Sequence, residues 1–201
     1  MRMPFWSHYD MAVTAADVRT VDQLVGFILD GGRPKYLTFW GHQPLPAGQV
    51  GKGCLSQWWP SAFTVDGETY ATAEHYMMTA KALLFGDTEV AERIRTAPHP
   101  RAAKDLGRQV RGFDEERWAE RRFDFVVTAN LAKFGQHAEL RDFLLGTGGR
   151  VLVEASPRDR IWGTGLAADH EYGTSPERWP GLNLLGFALM EVRHQLRDEP
   201  R

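Results

Sequence analysis

From Thr20 to Leu196 the chain is cut into short segments by helix-capping residues, glycines and prolines, and this punctuation limits the folds open to it. Thr20 precedes Val21, Leu24, Val25 and Ile28 at helical spacing and Gly31-Gly32 stops the run, so residues 20–30 read as an opening helix. Thr72 caps a helix through about Leu84 that Gly86 closes; Asp87 or Thr88 starts a short one through Arg95, and Pro98 and Pro100 then break the chain. Further helices are expected over 102–109, 115–134, 138–145 and 184–196. Residues 36–40 and 62–65 read as short strands, and Asp66-Gly67 is a tight-turn signal leading to 68–70; these pieces are expected to form a small antiparallel element. Residues 150–155 are a compact apolar strand followed by a Gly-rich loop. The stretch 41–53, rich in Pro and Gly, is a loop inside the domain rather than a linker. The pattern predicts one α+β domain, mostly helical with a small β-sheet.

Composition removes several function classes. With 201 residues and 43% hydrophobic side chains the chain can bury one sizeable core. Lys and Arg number 24 against 26 Asp and Glu, so no broad field points at nucleic acid or membrane and any nucleic-acid contact must be local. One cysteine, Cys54, excludes an internal disulfide framework and a multi-thiolate zinc site and fits a reducing, cytoplasmic setting. Arg2 is followed by polar and acidic breaks at Ser7, His8 and Asp10, so the N-terminus does not read as a signal peptide, and no run is long enough to span a bilayer. There is no Walker loop, no dinucleotide G-x-G-x-x-G, no G-x-S-x-G elbow and no H-E-x-x-H, which leaves phosphoryl transfer, hydride transfer, esterase chemistry and zinc proteolysis without support.

Three constellations can carry chemistry. In the first, Glu74 and Lys81 lie seven residues apart on one helix and project the same way, with Met77 and Met78 between them. The competing reading makes Glu74 a partner of the helix macrodipole, Lys81 a solvated cation and His75 a capping or packing residue. In the second, Glu154-Ala-Ser156 leads from the end of a buried strand into Asp159 and Trp162-Gly163-Thr-Gly165. Asp159 is the best second carboxylate, Trp162 offers a stacking face or a lid on the core, and Gly163 and Gly165 let backbone N–H groups approach a phosphate or simply form a turn. In the third, Trp58 and Trp59 after Ser56-Gln57 cannot both face the core of an extended segment, so one is exposed or lines a pocket. Trp118 favours core packing, and Asn183 is an N-cap that also has reach to a ligand.

Several of these residues recur in one register: Leu55-Ser-Gln-Trp-Trp-Pro-Ser-Ala-Phe63, Asp66-Gly67, Tyr70 with Glu74-His-Tyr-Met-Met78, Lys81-Ala82, Phe85-Gly86-Asp87, Ala103-Lys104-x-Leu-Gly-Arg108, Leu152-Val-Glu-Ala-Ser156, Asp159, Trp162-Gly-x-Gly165 and Trp179-x-Gly181-x-Asn183. Their order and spacing resemble the NADAR family, also called YbiA-like, over about residues 36–196. Gln57 stands where members commonly have Asn, and Trp58-Trp59 where smaller aromatics are frequent. The resemblance implies residues 36–201 as the catalytic domain, with 1–35 an N-terminal extension that contains a helix.

It also implies an N-glycosidase that cuts a ribose C1–N bond without metal or cofactor. Two substrates are implied: ADP-ribosylated guanine in nucleic acid or nucleotides, the leading expectation, and phosphoribosylamino-pyrimidine intermediates of riboflavin synthesis. No membrane and no obligate protein partner are implied. Carried onto this chain, Glu74 and Asp159 resemble the functional acidic positions, with Lys81, Trp118 and Trp162 in the same pocket. Glu74 then activates the sugar or water and Asp159 positions ribose hydroxyls or the leaving group, or the two exchange roles. Lys81 attacks C1 of the opened ribose as a Schiff-base nucleophile or stabilises charge. Trp162 or Trp58 holds the base; Ser56, Asn183, Arg108, Lys52 or the Gly163 and Gly165 backbone meets the rest of the substrate. An ADP-ribose-binding module without turnover is the reading from another class.

Overall fold

The computed structural model describes Ala15 and residues 17–198; Arg2, Ser7, His8 and Asp10, used above to read the N-terminus, lie outside the described residues. Local capping sets most helix boundaries. α1 (Val21–Leu29) starts where the Thr20 side chain accepts from the Gln23 amide, α2 (Ala73–Leu84) where Thr72 accepts from His75, and α3 (Thr88–Arg95) where Asp87 accepts from Val90. Gly86 between α2 and α3 has φ +76°, the left-handed conformation that closes a helix without a Cβ clash. α4 (Pro100–Gly107) begins two residues earlier than expected. His99 accepts from the Ala102 amide and Pro100 occupies the first helical turn, where its missing N–H costs nothing, so this proline starts a helix instead of breaking one.

α5 (Glu115–Gln136) is the long helix, capped by Asp114, and its buried residues Trp118, Arg122, Val126, Ala129, Asn130, Lys133 and Phe134 recur at helical spacing on one face. α6 (Ala138–Gly146) follows at once and α7 (Leu184–Asp198) ends the described chain. α7 packs against α5 and α6, while α2 is enclosed by α3, α4 and α5.

The sheet corrects one expectation. β2 (Phe63–Val65) and β3 (Glu68–Tyr70) form the antiparallel hairpin, with Asp66 and Gly67 both at positive φ in the turn. β1 (Tyr36–Phe39) does not join them: it pairs in parallel with β4 (Val151–Glu154), Tyr36 opposite Val151 and Phe39 opposite Glu154. β4 reads as an unbroken apolar run because Val151, Leu152 and Val153 are buried, with α7 packed against it. The architecture is α+β, helices around small two-stranded sheets.

The described part of the N-terminal extension packs on this frame: Leu24 is in the core and Arg19 pairs with Glu191 of α7 at 2.6 Å. No helix among the described residues is long and apolar enough to cross a membrane.

Candidate active site

The C-terminal end of β4 and the N-terminal end of α2 meet at a cleft of about 400 Å³. Glu74, in the first turn of α2, is only 3% exposed, and its amide donates to the Gln57 carbonyl at 3.0 Å. A carboxylate that merely complemented the helix dipole would remain in water. Glu154 enters from the last position of β4. Its amide donates to Asn183 Oδ1 at 2.9 Å and its carbonyl accepts from the Thr164 and Ser156 amides, so the backbone beneath its side chain is held on every side. Glu74 Oε1 and Glu154 Oε2 are both buried without a hydrogen-bond partner. Asp159, in the loop after β4, differs: its Oδ1 accepts from the amides of Ile161 at 2.9 Å and Trp162 at 2.8 Å.

Lys104 from α4 brings an amine to the same cleft. Burial pushes the Glu74 carboxyl up to about 7, against the pull of Lys104, a Trp58 hydrogen bond and Arg108, with Asp159 adding to the rise. Burial pushes Glu154 higher, to about 8, and here Asp159 and Glu74 both reinforce it while Lys104 alone opposes. A cleft that holds protonatable carboxyls near neutral pH can give and take protons.

Aromatic side chains form the rim. Trp58 and Trp162 line the cleft half-buried, and Trp40 is 67% exposed at its edge. Trp59 is buried in the core, so the adjacent tryptophans divide between pocket and core. Trp58 lies against His42, ring centres 5.7 Å apart. α5 anchors the wall beneath: Lys133, fully buried, donates to the carbonyls of Cys54 at 2.6 Å and Ser56 at 2.9 Å, and Asn130 donates to Gln57 Oε1 at 2.8 Å.

The cleft thus gathers Glu74, Asp159, Trp58, Trp162 and Ser56 of the expected residues. It does not gather Lys81 and Trp118. Seven residues along a helix span about 10 Å, and by Lys81 the axis has left the cleft. The Lys81 amine instead donates to the Gly107 carbonyl at 2.9 Å and sits over the rings of Phe113 at 4.1 Å and Trp118 at 5.7 Å. Burial lowers its pKa, opposed by Glu115. His75, held between Thr72 and the Ala97 carbonyl, has a packing role.

Gly163 serves close packing: a Cβ there would lie 2.9 Å from the Glu154 carbonyl and 3.1 Å from that of Asp159. Gly165, at φ +75°, turns the chain beside Pro180. Asn183 is buried and bonded to β4, Arg108 is paired with Asp105 at the surface, and Lys52 lies in a separate groove with Arg150. Lys104, His42 and Trp40 line the cleft too, outside the expected site residues, and so does Glu154, which opens the second constellation but to which the sequence alone gives no role. Among the described residues no three or more His, Cys, Asp or Glu side chains converge closely enough to hold a metal ion.

The chain is similar to several proteins named as N-glycosidases. An N-glycosidase of Acanthamoeba polyphaga mimivirus is 42% identical over 166 residues, covering 80% of this chain and 96% of the relative. The N-glycosidase YbiA of Escherichia coli is 37% identical over 141 residues, 70% of this chain and 78% of its own length. The NMR structure of Escherichia coli YbiA superposes with a TM-score of 0.63 at 30% identity, covering 84% of this chain and 91% of that one. These relationships make the chain an enzyme of the N-glycosyl hydrolase class. It belongs to the NADAR family, whose domain model matches residues 38–197.

Proposed function

We propose that this enzyme removes ADP-ribose from ADP-ribosylated guanine in DNA or nucleotides by hydrolysing the ribose C1–N bond. The observation that carries the reading is the pair of buried carboxyls, Glu74 and Glu154, each with an unpartnered oxygen, beside Asp159 under a tryptophan rim. Breaking a ribosyl C–N bond develops positive charge at C1 and negative charge on the departing base, and carboxyls in a desolvated cleft answer both needs. A module that only bound ADP-ribose would gain nothing from burying them.

Glu74 acts on the sugar side, stabilising C1 or activating water. Asp159, with one oxygen fixed by two amides, positions the ribose hydroxyls or the leaving group. Trp58 and Trp162 offer faces on which a base stacks, and a cleft of about 400 Å³ suits one nucleotide unit rather than a length of duplex. Lys81 is the alternative nucleophile; to reach C1 its amine would have to leave the Gly107 carbonyl, and borohydride trapping of a Lys81 adduct would decide it. A cytoplasmic setting accompanies this function, and the single buried thiol of Cys54 suits it.

The test offers the purified protein an oligonucleotide carrying ADP-ribosyl-guanine and, separately, phosphoribosylamino-pyrimidines, with products followed by mass spectrometry. Release of ADP-ribose and plain guanine is expected. Turnover of the pyrimidines alone would move the enzyme to riboflavin intermediates, and binding without turnover of either would make it a reader.

A further inference from the structure

Three carboxyls face this cleft, yet their surroundings are unequal. Glu74, on α2, has Lys104 and Arg108 of the α4 region and the Trp58 indole on its side, all favouring its charged form. Asp159 has one oxygen, Oδ1, tied to the backbone amides of Ile161 and Trp162. Glu154 has neither. Its Oε2 is buried without a partner, its own strand and the start of α7 present only the neutral Asn183 side chain to its backbone, and Asp159 and Glu74 both press on it with like charge. Lys104 is the one cation that acts on it, and from the loop after β1 the titratable group in the cleft is His42, which lies against Trp58.

Like charges gathered in a desolvated site cannot all persist, so one carboxyl keeps a proton. The group with the least compensation is the one that keeps it. We propose that Glu154 is the acid of this cleft, a further catalytic residue that enters the reaction protonated and passes its proton to the departing base nitrogen. The assignment rests on the glycosidase reading above and adds to it the residue that supplies the leaving-group proton.

The step balances as a hydrolysis. The C1–N bond breaks, its electron pair stays on the base nitrogen, and that nitrogen takes the Glu154 proton. Water adds its oxygen to C1, and its released proton goes to Glu74. The products are a free ribose hydroxyl and an N–H base, and proton return from Glu74 to Glu154 through solvent restores the starting state. Glu154 suits the task mechanically as well, because its backbone is fixed by Asn183, Thr164 and Ser156 and the side chain keeps one position while the sugar moves. Burial has pushed this carboxyl up to about 8, so it carries a proton at neutral pH and loses it as the solution turns alkaline.

The experiment pairs two readouts on the parent and Glu154→Gln. The first is the pH dependence of kcat on an ADP-ribosyl-guanine oligonucleotide. The parent is expected to lose rate on an alkaline limb, and Glu154→Gln, a near-isosteric neutral side chain that keeps the fold, is expected to fall by about 10²–10⁴-fold and lose that limb. The second needs no turnover: with glutamate labelled by ¹³C at the carboxyl carbon, the parent is expected to show a resonance that titrates above neutral pH and is missing from the variant. An active parent whose alkaline limb and rate survive the substitution overturns the proposal and leaves the glycosidase intact, as does the absence of such a resonance. A parent inert toward every ribosyl substrate overturns the glycosidase reading itself and takes the Glu154 role with it.

Discussion

Asn183 fastens the end of β4 to the start of α7: its Oδ1 accepts from the Glu154 amide and its Nδ2 donates to the Leu152 carbonyl, each at 2.9 Å. Asn183 also sits at φ +52°, a conformation asparagine tolerates better than most residues. Gly186 is part of the same joint, since a Cβ there would lie 2.1 Å from the Leu152 carbonyl. The residue expected to touch substrate is therefore a tie that aims Glu154. Asn183→Ala strands a buried N–H and a buried C=O, and it should cost about 2–4 kcal/mol in chemical denaturation, with turnover reduced in the fraction that remains folded.

Trp58 and Trp59 should separate cleanly. Trp59 is a core residue, and Trp59→Ala is expected to lower stability by about 3–5 kcal/mol. Trp58 is half-buried on the cleft, and Trp58→Ala should raise KM several-fold while moving the melting temperature far less. Thermal melts and steady-state kinetics on the two variants check the division, and equal loss of stability in both would refute it.

The buried carboxyls make stability depend on pH. Glu74 and Glu154 bind protons more tightly folded, with values of about 7 and about 8, than in the unfolded chain, where the ordinary value is 4.5. Their contribution is complete below about pH 4.5 and is lost as pH rises through the folded values. Glu154→Gln should thus gain stability relative to the parent by a few kcal/mol between acid and mildly alkaline pH. Lys133, which burial lowers to about 7, contributes in the opposite sense above that pH. Its effect is common to parent and variant and cancels in the difference. Urea midpoints across the range measure it; a difference that does not grow with pH would contradict the placement of Glu154.

Cys54 offers a probe of the wall that carries Ser56 and Trp58. The thiol is buried in the core and burial pushes it up to about 12, with Lys133 opposing. In the native protein a thiol reagent should react only as fast as the structure opens, orders of magnitude slower than with the unfolded chain. Rapid labelling under native conditions would show that the 54–58 segment is loosely held.

Helix boundaries are legible in the sequence because each depends on a cap or stop within a few residues, as at Thr20, Thr72, Asp87 and Gly86. The partner of β1 is not legible, since β4, with which it pairs in parallel, lies beyond α2 to α6 in the chain and no local turn signal joins the two. Glu74 and Asp159 stand out through the family resemblance, and the rest of the cleft follows less evenly. Glu154 opens the second constellation at the end of an apolar strand and lies within the family motif, yet neither gives it a role. Lys104 belongs to a motif of the family resemblance, but its place in the cleft follows only once α4 is folded against α2. The match in direction between Glu74 and Lys81 is true of an isolated helix but ignores the distance along its axis.

The most direct test of the account is release of ADP-ribose from an ADP-ribosyl-guanine oligonucleotide, followed by mass spectrometry with the parent and with Glu74→Gln at equal concentration and confirmed fold. The account predicts that the parent restores plain guanine and that the variant is slower by about 10²-fold or more. A variant as fast as the parent would contradict the placement of the chemistry in this cleft.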